Sequence, residues 1–215
     1  MAMPPSATPI DMNDPHRIHS LEQLRELIPA PKATAAQKVT ATLDEEARRF
    51  IAASPLAFVS TVDAQLKLDV SPKGDAPGFA KVLDASTLLL PERSGNRLTF
   101  GFQNILQTGA IGLIFVVPGV RETLRINGRA TLSKDPAWLQ RLAAGGKPAL
   151  LVTRIEVDEC FFHCAKAFIR SRAWEPASWT PKAAAKAAVG NWSRLFGMAP
   201  GAVDELLEQD YRNNL

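Results

Sequence analysis

Thr123-Leu124-Arg125-Ile126-Asn127-Gly128-Arg129-Ala130 alternates apolar and polar side chains over its whole length. A period of two is the mark of a strand, with Arg125, Asn127 and Arg129 on one face and Leu124 and Ile126 on the other. Strand-like runs recur on both sides of this stretch. Residues 56–62, 87–90, 111–117 and 150–157 are apolar and β-prone, and residues 66–70 alternate Leu, Lys, Leu, Asp, Val, which predicts one buried face. With 122–133 that makes about six strands. Few helices interrupt them and no strand-helix-strand rhythm appears, so the chain is expected to be mainly β with added helices, an antiparallel barrel.

Helical patterns fall outside the strand region or between its members. Ser20 with Gln23 makes a capping box ahead of Leu21, Leu24, Leu27 and Ile28. Residues 43–53 place Leu43, Ala47, Phe50 and Ile51 on one stripe. Residues 98–106 and 136–144 read as short helices, and 182–215 as a helical tail. The expected division is a flexible leader with a short helix (1–36), a barrel domain (37–180) and a C-terminal helical extension (181–215). Residues 1–17, rich in Pro, Ser and Asp, read as disordered.

Bulk properties narrow the functional classes. The 215 residues carry a net charge of only +3 and no block of like charges, so nucleic-acid binding is not indicated. The longest apolar run, 110–117, is too short to span a bilayer, and the first residues lack a signal-peptide pattern, so a cytoplasmic protein is expected. Cys160 and Cys164 flank His163, but no second ligand cluster exists, so they read as buried reduced thiols rather than a metal site.

Chemistry is concentrated at strand ends. Asp69-Val70-Ser71-Pro72-Lys73-Gly74-Asp75 sets a hydroxyl and an ammonium beside a glycine turn. Pro91-Glu92-Arg93-Ser94-Gly95-Asn96-Arg97 follows an apolar strand and precedes a helical run. Helix-start amides beside guanidinium groups bind anions, although such a motif alone is first read as an ordinary charged turn. Lys166, Arg170 and Trp174 share a helical face if that helix continues, which suits an anionic aromatic ligand or simply a solvated face.

These motifs, with Pro77-Gly78-Phe79, Pro118-Gly119, Glu122 to Ala130 and Phe162 to Ala167, resemble the FMN-binding split barrels of the pyridoxamine 5′-phosphate oxidase superfamily over residues 40–180. The resemblance implies an antiparallel split β-barrel and a homodimer with FMN at the subunit interface. It implies Asn96 and Arg97 at the FMN phosphate, and Ser71 and Lys73 beside ribityl phosphate and flavin. Leu90 and Pro91 would lie against the ring, followed by Arg93, with Thr123 and Arg125 near the ring. Arg170, Ser171 and Trp174 would close the site from the other subunit. The substrate-phosphate Arg and His of the oxidases have no counterpart, since Glu175-Pro176-Ala177 follows Trp174. The expectation is therefore an FMN-dependent oxidoreductase of unknown small-molecule substrate, reduced by a nicotinamide or small organic donor, and not a true pyridoxamine phosphate oxidase. No catalytic acid or base is assigned. The alternatives are a non-catalytic flavin binder, or a split barrel that takes haem or a deazaflavin.

Overall fold

The computed structural model describes residues 11, 14–32 and 37–214. Much of the expected leader and part of the linker before residue 37 lie outside the described residues. Two units emerge, Met1–Gln37 and Lys38–Leu215. In the first, helix α1 (Leu21–Leu27) is capped by Ser20, whose Oγ accepts from Gln23 N at 3.3 Å. Leu21 and Leu27 are exposed and Leu24 is half-buried.

The second unit contains, in order, α2 (Glu45–Ala53), β1 (Leu56–Val62), β2 (Leu68–Gly74), β3 (Lys81–Val82), β4 (Thr87–Pro91), α3 (Phe100–Thr108), β5 (Ala110–Val116), β6 (Thr123–Ser133), α4 (Pro136–Arg141), β7 (Val152–His163), α5 (Lys166–Ser171), α6 (Pro181–Phe196) and α7 (Pro200–Asn214). The strands form one antiparallel sheet in the order β2-β1-β5-β6-β7-β4-β3. The sheet curls until its two ends meet. Lys73 of β2 contacts Glu92 just past β4 at 2.5 Å, and Asp75 meets Arg93 at 2.7 Å, although no backbone ladder joins these strands. The fold is thus a split barrel, with the split bridged by side chains.

Packing explains the layout. The inward residues Ala57, Val59, Leu113, Phe115, Leu124, Ile126, Ile155 and Val157 build the core, and α2 plugs one side with Ala47 and Ile51, joined by Leu43 just before the helix. Strand β4 is buried along its whole length. Leu88 and Leu90 enter the main core, while Leu89 packs with Leu142, Ala149 and Val152 beneath α4. That is why it reads as a continuous apolar run rather than an alternating one. At Gly128 a β-bulge interrupts the β6–β7 register, and any Cβ there would lie 2.0 Å from the Glu156 carbonyl oxygen. Only glycine permits that approach.

Several expectations need correction. Strand β2 begins at Leu68, not Leu66, which sits in the preceding turn with φ 65°. Its expected buried face is open, with Leu68 and Val70 72% and 65% exposed, because no element among the described residues packs over that face of the sheet. Strand β7 runs on to His163, so Phe162 and His163 are strand residues. Helix α5 stops at Ser171, where Arg172 turns left-handed (φ 52°), so Trp174 does not share a helical face with Lys166 and Arg170. Cys160 is buried, but Cys164 is exposed. Among the described residues no helix is long and apolar enough to cross a membrane.

Candidate functional site

A cavity of about 830 Å³ opens between β2, the end of β4, the loop that follows it and the start of α3. This volume falls within the roughly 300–1,000 Å³ usual for small-molecule sites. Phe79, Leu90, Phe102, Ile105 and Ile111 supply apolar wall, and charged residues gather toward the loop.

Its charges divide into neutralised and free. Lys73 is held by Glu92, and its ammonium also lies 4.9 Å from the Phe102 ring centroid. Arg93 Nε donates to Asp75 Oδ2 at 2.7 Å and its Nη2 to the Leu142 carbonyl at 2.7 Å. Its Nη1 is buried without a partner. Burial would raise the Asp75 pKa, but the Ala76 amide and the Arg93 guanidinium overcome this and hold the carboxyl below its usual value. Arg97 and Lys147 also line the cavity, and among the described residues neither meets a carboxylate within ion-pair distance.

The loop that carries Arg97 is strained. Arg97 and Thr99 both adopt left-handed backbone, φ 60° and 56°, which costs a residue with a Cβ about 1–3 kcal/mol. Asn96 helps to shape it by accepting the Leu98 amide on Oδ1 at 3.0 Å. These turns delay α3 by two residues relative to the sequence expectation. Thr99 then gives α3 no side-chain cap. Instead the Asp69 carboxylate sits over the first turn, since a Cβ on Gly101 would be 3.3 Å from Asp69 Oδ2. A carboxylate there already complements the helix dipole. The free positive charge of the cavity therefore comes from Arg97 and Lys147 rather than from the helix start.

Ser71, Lys73, Leu90, Pro91, Arg93, Asn96 and Arg97 all line this one cavity. Thr123, Arg125, Arg170, Ser171 and Trp174 do not. Thr123 is buried opposite His163, and Arg125 lies against Phe161. Trp174 stacks on Phe168 and donates Nε1–H to the Val120 carbonyl at 2.7 Å. Arg170 and Ser171 are exposed on α5. Sequence reasoning missed Lys147, and it named Asp69 in the segment with Ser71 and Lys73 without giving it a role. Lys147 follows Gly145-Gly146, both left-handed (φ 55° and 76°), in a tight turn closed by paired backbone bonds between Ala144 and Lys147. A Gly-Gly pair between two short segments was the available signal.

Comparison with known proteins gives the following. A family model described as pyridoxamine 5′-phosphate oxidase matches residues 43–164. No curated protein matches the chain. Among solved structures, HupZ of Group A Streptococcus is 23% identical, with 55% of this chain and 92% of that one covered and a TM-score of 0.46. An FMN-binding protein from Syntrophomonas wolfei is 13% identical, with 57% and 86% covered and a TM-score of 0.45.

Proposed function

The chain belongs to the pyridoxamine 5′-phosphate oxidase family, and from that premise we propose that it is an FMN-binding flavoprotein acting as an oxidoreductase on a small molecule. The observation that carries this reading is the make-up of the cavity. Apolar and aromatic walls lie beside two unpaired cations, Arg97 and Lys147, which matches a planar ring joined to a phosphate. The orphaned Arg93 Nη1, buried at the cavity edge, supports it as well, since a buried donor without an acceptor is costly and a bound polar group would satisfy it.

In this reading Arg97 holds the phosphate, aided by Lys147 and the Ser71 hydroxyl. Leu90 and Pro91 flank the ring, and Asn96 fixes the turn that aims Arg97. Lys73 and Arg93 act mainly by closing the split, so the cavity keeps its shape. When bound, FMN would supply hydride and electron transfer, and the protein supplies orientation, charge and exclusion of water. Two copies are proposed to pair across the outer sheet face, where Phe58, Val70 and Ile114 are exposed. Thr123, Arg170, Ser171 and Trp174 of one copy then complete the cavity of the other.

The test is the absorption spectrum of the purified protein, with release of FMN on denaturation. Bleaching by NADH or NADPH and recovery in air would establish turnover. The same assay with pyridoxamine 5′-phosphate is expected to give none. A yellow protein that no donor bleaches would leave a flavin binder without catalysis.

A further inference from the structure

Beyond the residues that the family model matches, the chain carries a helical hairpin, α6 and α7, whose two helices pack on each other and line no part of the cavity. Gly197, left-handed at φ 64°, ends α6, and α7 begins at Pro200. Helices of 16 and 15 residues are marginal in water unless they bury an apolar face. Here that burial is scant. Among the described residues of the two helices, Val203 alone is buried. Trp192, Leu195 and Phe196 share one side of α6 by their i, i+3, i+4 spacing and stay exposed, with the Trp192 and Phe196 rings stacked 5.2 Å apart. Leu206 and Tyr211 are exposed on α7.

Charge says what covers this surface. Helix α6 carries Lys182, Lys186 and Arg194 and no acid, a net +3. Helix α7 carries Asp204, Glu205, Glu208 and Asp210 against Arg212, a net −3. The hairpin leaves most of this opposition unused. Lys182, Lys186, Arg194, Asp204, Glu205 and Glu208 make no ion pair among the described residues. Arg194 donates instead to Asn191 Oδ1 at 2.8 Å, within its own helix. A partner of a single sign would suit one helix and repel the other. A second hairpin related by a two-fold axis suits both, because its acidic helix meets the basic one and its basic helix meets the acidic one.

We propose that the C-terminal hairpin is a self-association surface, which pairs with the hairpin of a second copy of this chain as a four-helix bundle. The helices follow one another around the bundle as α6, α7, the partner's α6 and the partner's α7. Every adjacent pair is then opposite in charge, and like helices lie diagonally across. The pairing covers the apolar side chains that one hairpin leaves exposed. It is additional to the pairing across the outer sheet face, and it does not require the cavity to hold a flavin.

The test uses the full-length chain. Light and heavy-isotope-labelled protein are mixed, exchanged by dilution, concentrated again and treated with a carbodiimide, which joins an amine to a carboxylate in contact with it. Cross-linked peptides of mixed isotope that join Lys182 or Lys186 to the acids of α7 are expected. Reversing one helix, with Lys182→Glu and Lys186→Glu together, should weaken self-association, measured by sedimentation, about tenfold or more. Both side chains are exposed, so the fold should survive the change. Mixed with a Glu205→Lys, Glu208→Lys variant, that protein should associate again as a mixed species, which a hairpin closed on itself would not do. Three results overturn the proposal: cross-links confined to one isotope, mixed cross-links that reach the hairpin only from other parts of the second copy, or sedimentation that neither variant changes. Flavin content should stay unchanged in both variants, and it reports separately on the cavity.

Discussion

Two positions of the motif Pro91 to Arg97 carry the same side chain in opposite circumstances. Arg93 is pinned by Asp75 and the Leu142 carbonyl and ties β4 to β2 and to the end of α4. Arg97, four residues on, meets no carboxylate and sits on left-handed backbone at the cavity wall. The contrast shows that a cation-rich motif does not name its own roles. A guanidinium held by a carboxylate ties the barrel together, and one without a carboxylate, on strained backbone, marks where a ligand belongs.

The comparison can be broken at either end. Removing the carboxylate-paired cation should have the largest effect. Arg93→Met leaves Asp75 partly buried without its partner and should lower unfolding free energy by about 3 kcal/mol, measured by denaturant titration. Arg97→Ala should do the reverse, leaving that stability within about 0.5 kcal/mol and weakening FMN retention about tenfold or more. Lys147→Ala should act in the same sense more weakly. If Arg93→Met lost flavin with no loss of stability, the division of roles would be inverted.

Acid should separate the ends too. The Asp75 carboxyl is held below its ordinary value of 3.8 in the folded protein. Its pairing therefore contributes stability above that pH, and the contribution falls away as pH drops further. Asp75→Asn should flatten the acid limb of the stability profile, whereas Arg97→Ala should leave it unchanged. The smallest effect belongs to the strained loop. Thr99→Gly should relieve the left-handed backbone and raise stability by about 1 kcal/mol, read from the thermal midpoint.

Much of the barrel was legible from periodicity. Leu124 and Ile126 point inward and Arg125 and Asn127 outward as the alternation of β6 requires, and the unbroken Leu88-Leu89-Leu90 run is buried on both faces. The exposed face of β2 was not legible, because alternation records that a strand has two faces but not whether anything covers them. The helix through Lys166 and Trp174 failed for a local reason, a left-handed Arg172 that no residue type announces. The motifs placed seven of the expected site residues in one cavity. They could not separate Lys73 and Arg93 from Arg97, since ion-pair partners such as Glu92 and Asp75 are revealed only when the sheet curls. Lys147 escaped because it reaches the cavity from a loop more than forty residues from the motif that it joins.

The central claim is that the cavity beside Arg97 and Lys147 holds FMN. The most direct measurement is the cofactor content of the purified protein, by absorption spectrum and release on denaturation, for the wild-type chain beside Arg97→Ala. A flavin spectrum with stoichiometric FMN in the first and a marked loss in the second is the expected result. A colourless protein that does not take up added FMN, or equal occupancy in both, would contradict it.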